Sequence, residues 1–149
     1  MRPRTTVLLT LLVLLAAVPA LARNPEINRT AFRQVAIEGY DPVAYFEDGE
    51  PKEGSAEHEH VWKHATWRFT SAEHRDAFVA EPEKYAPQYG GYCAYAVAKD
   101  RLAKGDPEVW VIRDGKLYLN YDVEIKQRWL ADVERYVEQA DEHWPGVLD

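Results

Sequence analysis

The stretch Val109-Trp110-Val111-Ile112-Arg113-Asp114-Gly115-Lys116-Leu117-Tyr118-Leu119 decides the fold class. Two runs rich in β-branched and aromatic residues flank Asp-Gly, a pair that accepts the two positive-φ positions of a tight hairpin turn. The spacing predicts two antiparallel strands joined directly, since parallel strands need a crossover connection. Downstream, Ile125, Trp129, Val133, Tyr136, Val137 and Ala140 recur at helical spacing. They predict a long C-terminal helix from Val123 to His143, capped by Asn120 or Asp122 and ended by Pro145.

Upstream the pattern repeats. Val61 and Trp62 precede Lys63-His64-Ala65, and Trp67 and Phe69 follow with the period-two placement of a half-buried strand, which predicts a second hairpin. Thr70-Ser71-Ala72-Glu73 reads as a capping box with Thr70 as N-cap, opening a helix from Ser71 to about Ala80 that buries Phe78. Pro82 opens a further helical turn towards Tyr85, and Pro87 stops it. Val35, Ile37 and Val43-Ala44-Tyr45-Phe46 read as short strands, split by a turn at Gly39-Tyr40-Asp41-Pro42. Gly90-Gly91-Tyr92-Cys93-Ala94 combines a glycine path with the start of a short buried helix, placing Cys93 in its first turn. The whole reads as α+β: a small antiparallel sheet with short helices and a longer C-terminal helix.

At the N-terminus, Arg2 and Arg4 precede an uncharged apolar run from Val7 to Val18, and Ala20-Leu21-Ala22 supplies a small-residue cleavage pattern. Residues 1–22 therefore read as a secretory signal, 23–34 as a flexible, poorly tied arm, and 35–149 as one domain. The expected location after cleavage is periplasmic or secreted. The run is too short for a membrane span, which needs about 20 apolar residues, and no later stretch qualifies. Of the 18 basic residues only Arg2 and Arg4 lie before residue 23, leaving 16 against 25 acidic residues, a net charge of −9. That balance, without any long Lys/Arg cluster, argues against nucleic acid or an anionic membrane as partner.

The chain has one cysteine, so no intrachain disulfide and no Cys-x-x-Cys dithiol cycle is available. In the first turn of a helix, Cys93 would face backbone N–H groups that favour a thiolate, suited to metal ligation or redox reactivity; buried, it would act as a small hydrophobe. His58 and His60 share one face of a regular strand and could contribute to a transition-metal site with Cys93. If the turn carrying Tyr40 and Asp41 packs against Gly90, Gly91, Tyr92 and Cys93, an acid, phenols and a thiol converge in one pocket. No Ser-His-Asp order, phosphate loop, dinucleotide fingerprint or His-Glu-x-x-His is present.

Three segments carry a family likeness. Gly39-Tyr40-Asp41-Pro42-Val43-Ala44-Tyr45-Phe46, Trp67-Arg68-Phe69-Thr70-Ser71-Ala72-Glu73, and the run from Asp76 through Tyr85-Ala86-Pro87-Gln88-Tyr89 to Gly90-Gly91-Tyr92-Cys93-Ala94 together resemble the exported YHS-domain proteins of bacteria. The likeness continues through Asp106-Pro107, Trp110, Asp114 to Tyr121, and Trp144-Pro145. YHS modules associated with heavy-metal transport carry cysteines where this chain has Ala44 and Thr70, so a metal role does not transfer through those positions. The resemblance instead points to thiol or selenol chemistry at Cys93. The combined expectation is an exported YHS-like binding domain holding a metal ion or small ligand near Cys93. The alternatives are a single-thiol redox protein or enzyme, and a protein-partner-binding module without chemistry.

Overall fold

The computed structural model describes residues 22–149. The signal segment, apart from Ala22, lies outside the described residues. The remaining chain is α+β, as expected, but its strands form two separate two-stranded antiparallel sheets. Strand β1 (Ser55–Trp62) pairs with β2 (Ala65–Phe69), and β3 (Asp106–Arg113) with β4 (Lys116–Asn120).

Both hairpins turn through two residues of positive φ: Lys63 (49°) and His64 (59°) in the first, Asp114 (50°) and Gly115 (73°) in the second. Mirror-image turns of this kind match the twist of the flanking strands, which is why Asp-Gly announces them; Lys-His adopts the same geometry with no glycine to ease it. In β2, Ala65, Trp67 and Phe69 are buried while Thr66 and Arg68 turn outward. Strand β4 shows no such alternation. Leu117 and Leu119 enter one core with Trp67, Phe69 and Phe78, while Tyr118 enters a second with Tyr89, Trp129 and Leu148. Buried on both faces, β4 is the seam between the two cores.

Three local expectations are corrected. Residues 43–46 do not form a strand: Ile37–Gly39 is a 3-10 turn, and Ala44–Glu47 is a short helix, α1. The Asp41 carboxylate accepts the N–H groups of Val43 (2.8 Å) and Ala44 (3.3 Å), as an N-terminal cap does, and Val43, Ala44 and Tyr45 are buried in succession rather than alternately. Helix α2 (Ala72–Ala80) is capped by Ser71, which accepts the His74 N–H, and not by Thr70, whose hydroxyl and N–H are both given to Asp41. Helix α3 (Pro82–Tyr85) follows as expected. The C-terminal helix is two helices, α5 (Val123–Leu130), capped by Asp122, and α6 (Val133–His143), broken where Asp132 leaves helical angles at φ −153°.

The segment expected to be a poorly tied arm is fastened to the domain. Ile27 is buried in the first core, Asn28 N–H donates to Gly90 O (2.8 Å), Ile37 N–H donates to Asn28 O (3.0 Å), and Asn24 N–H donates to Leu148 O (2.9 Å). Polar composition concealed an extended segment whose backbone groups pair with distant parts of the chain.

Candidate functional site

Cys93 stands where a glycine turn, the second hairpin and a short helix meet. The 3-10 turn Gln88–Gly91 carries positive φ at Tyr89 (55°), Gly90 (61°) and Gly91 (82°). The glycines are demanded by crowding as well as by angle: a Cβ at Gly90 would collide with the backbone oxygen of Glu26, and one at Gly91 would lie 2.6 Å from Ile37 Cγ2. The chain then delivers Cys93 to a parallel bridge with Leu119, its N–H donating to Ala103 O (2.8 Å). Its carbonyl accepts the Val97 N–H and opens helix α4 (Ala94–Ala98).

The Cys93 thiol is buried, with Sγ 3.6 Å from Asn120 Oδ1, which also accepts the Tyr95 N–H at 3.2 Å. Burial pushes the thiol above its ordinary pKa; the backbone N–H groups of Ala96, Tyr121 and Tyr95 pull the other way without prevailing. The thiolate expected from a helix start is thus corrected to a neutral thiol, because desolvation of the charged form outweighs the helix-end donors. Before it lies a small recess of about 220 Å³ lined by Cys93, Tyr95, Ala96, Ala103, Tyr121 and Ile125. These side chains come from α4, the loop before β3, and the start of α5, so no short stretch of sequence announces the recess.

The other expected members of the site are held apart. Asp41 is fully buried and spends both oxygens elsewhere: Oδ1 on Val43 and Ala44, Oδ2 on the Thr70 N–H (2.8 Å), the Thr70 hydroxyl (2.9 Å) and His74 Nδ1 (2.7 Å). The Tyr40 hydroxyl donates to Glu108 (3.2 Å), and burial followed by that hydrogen bond raises its pKa. The Tyr92 hydroxyl donates to Pro25 O (2.9 Å), its pKa raised by burial against the opposing charge of Arg29. Asp41, Tyr40 and Cys93 therefore share no hydrogen-bonding partner, and neither Tyr40 nor Asp41 lines the recess before Cys93. Gly90, Gly91 and Tyr92 shape the approach to Cys93 as backbone.

His58 and His60 lie on β1, with the His60 ring set edge-on to Phe78 at 6.4 Å. Among the described residues no three His, Cys, Asp or Glu side chains are placed to hold a metal ion, so Cys93, His58 and His60 do not assemble the expected transition-metal site. Sequence reading missed Asn120, the buried carboxamide behind the thiol, and missed the link from Asp41 to Thr70 and His74. Asn120 reads as a strand-end residue or helix cap, and nothing in its neighbourhood points to a cysteine 27 residues away. Comparison with protein-family models, curated proteins and solved structures gives no match for this chain. No helix among the described residues is long and apolar enough to cross a membrane.

Proposed function

We propose that this chain is an exported YHS-like binding domain that receives a small apolar ligand group in the recess over Cys93. The observation that carries the reading is the recess itself: about 220 Å³, walled by Tyr95, Ala96, Ala103, Tyr121 and Ile125, with a neutral thiol at its floor. Its size suits a group of a few carbons rather than a whole drug-sized molecule, and burial of apolar surface supplies the driving force. Export is supported by the order of charged, apolar and small residues before Arg23. The test is an NMR titration of the exported protein with 1-hexanol. Saturable shifts confined to the recess residues, lost when Ala103→Leu fills the space, support the reading; shifts spread over the surface or absent altogether reject it.

A second reading, single-thiol redox chemistry, is favoured by the recess that opens onto Cys93, the chain's one cysteine, whose Sγ lies 3.6 Å from Asn120 Oδ1. A peroxide would transfer one oxygen to the thiol, forming a sulfenic acid and leaving the reduced peroxide as water or alcohol. Mass spectrometry after peroxide treatment decides it: a single added oxygen on Cys93 of the native protein supports this reading, and an unmodified thiol removes it.

A further inference from the structure

The groove between the 30–34 loop and the outer face of the β1–β2 hairpin carries a charge opposite to that of the chain as a whole. It encloses about 490 Å³ and is lined by Arg33, Val35, Ala56, Glu59, Thr66 and Arg68. Two guanidinium groups and one carboxylate leave it net positive in a chain whose formal charge is −7.

Arg33 is exposed and has no acidic partner among the described residues. It is nevertheless held: its guanidinium carbon lies 5.8 Å from the ring centroid of Phe32, itself 81% exposed. The loop beneath is closed by Thr30, whose hydroxyl donates to Phe32 O and accepts the Val35 N–H at 3.1 Å, while Thr30 N–H donates to Val35 O at 2.9 Å. Arg33 and Gln34 both take positive φ, 60° and 56°. The turn sets Gln34 O to accept the Thr66 N–H at 2.9 Å and carries Val35 and Ala36 into the core, which offsets a cost of about 1 kcal/mol for each non-glycine residue at such angles and fixes the loop against β2.

Arg68, on β2, lines the same groove. Its side chain is 23% exposed and bound by Glu59 through Nε at 3.0 Å. Partial burial strengthens its field relative to a fully solvated cation.

We propose that this groove binds a small molecule bearing an oxyanion, a carboxylate or a phosphate, between Arg33 and Arg68. Guanidinium forks match the planar or tetrahedral arrangement of such oxygens, the Thr66 hydroxyl can add a donor, and Val35 with Ala56 offers an apolar wall to the carbon part of the ligand. Glu59 is the built-in counter-ion that an arriving oxyanion competes with. The groove shares no lining residue with the Cys93 recess, so the proposal stands independently of that site.

The test is isothermal titration of the exported protein at low salt, with inorganic phosphate and separately with succinate. Saturable binding of at least one probe is expected, and which probe binds distinguishes phosphate from carboxylate recognition. Arg33→Gln should weaken it by about tenfold, consistent with loss of a charge-assisted fork. Glu59→Gln should tighten it by removing the competitor, and Lys116→Gln, a change at an exposed cation of the other hairpin, should leave it unchanged. Arg68→Gln is read only alongside its melting temperature, since its side chain is mostly buried. Absence of saturable heat with either probe, equal affinity in Arg33→Gln, or an equal loss in Lys116→Gln overturns the proposal.

Discussion

Asp41 Oδ2 lies 2.7 Å from His74 Nδ1, joining a turn near the start of the domain to helix α2 across 33 residues of chain. The same oxygen accepts from the Thr70 backbone and hydroxyl, while Oδ1 caps α1. One buried carboxylate thereby fixes the orientation of α1, the end of β2 and the start of α2. A buried acid can be tolerated when each lone pair meets a donor, and these donors come from three segments.

Replacing Asp41 should therefore be among the most damaging single changes. Asp41→Ala leaves the buried Val43 N–H and the part-buried Thr70 N–H without their acceptor and should cost about 3 kcal/mol or more in denaturant unfolding, whereas His74→Gln, which removes one of several partners of that carboxylate, should cost about 1 kcal/mol. Comparable losses in the two variants would show that the carboxylate is not the shared centre.

Gly90, Gly91 and Gly115 all have positive φ, yet they should rank differently on substitution by Ala. At Gly90 the obstacle is the Glu26 backbone oxygen, which cannot move aside; at Gly91 it is the Ile37 Cγ2 methyl, a side-chain atom that has more freedom to give than backbone; at Gly115 nothing lies within 4 Å. Unfolding measurements should show Gly90→Ala as the most destabilised. Gly91→Ala should be intermediate, and Gly115→Ala should lose only the backbone strain of about 1 kcal/mol. A uniform loss across the three would mean that angle alone sets the cost.

The buried thiol and phenols make stability fall at alkaline pH. Burial raises the pKa of Cys93 and, more strongly, of Tyr45 and Tyr89. Each group ionises more readily in the unfolded chain, near about 8.5 for a thiol and 10 for a phenol. Its contribution is complete below those values and is lost as pH climbs towards the folded-state values. Cys93→Ala should flatten the first part of that decline. Alkylation of native Cys93 should likewise be slow at neutral pH, with a midpoint above that of a free thiol; a midpoint below it would contradict the neutral thiol.

In the first hairpin, His64 occupies the second positive-φ position of the turn, at 59°. His64→Gly should stabilise the domain by about 0.5–1 kcal/mol, because the left-handed conformation no longer carries a Cβ. The His64 carbonyl that accepts from Arg29 and the Lys63 to Glu26 ion pair at 2.6 Å both remain. An unchanged or lower melting temperature would mean that the His64 side chain contributes more than its strain removes.

The amino-acid sequence by itself determined what local chemistry can determine. Asp114-Gly115 and the alternation of Ala65, Trp67 and Phe69 set both hairpins, Pro82 and Pro87 bracket α3, and Asp122 caps α5, because turn angles, caps and side-chain period depend on neighbours a few residues away. Where two local solutions were nearly equal, as with Thr70 and Ser71 for one cap or Asp132 inside an apolar repeat, only the folded chain chose between them. Tertiary structure also decided everything that needs distant residues. Asp41 turned an expected strand into α1, Ile27 and Asn28 were drawn into the domain by pairing with Gly90 and Ile37, and Asn120 came to lie behind Cys93. The same holds for the thiol. Position at a helix start argued for a thiolate, but its charge state depends on how much water the surrounding walls exclude, and those walls are assembled from α4, β4, α5 and the loop between α4 and β3.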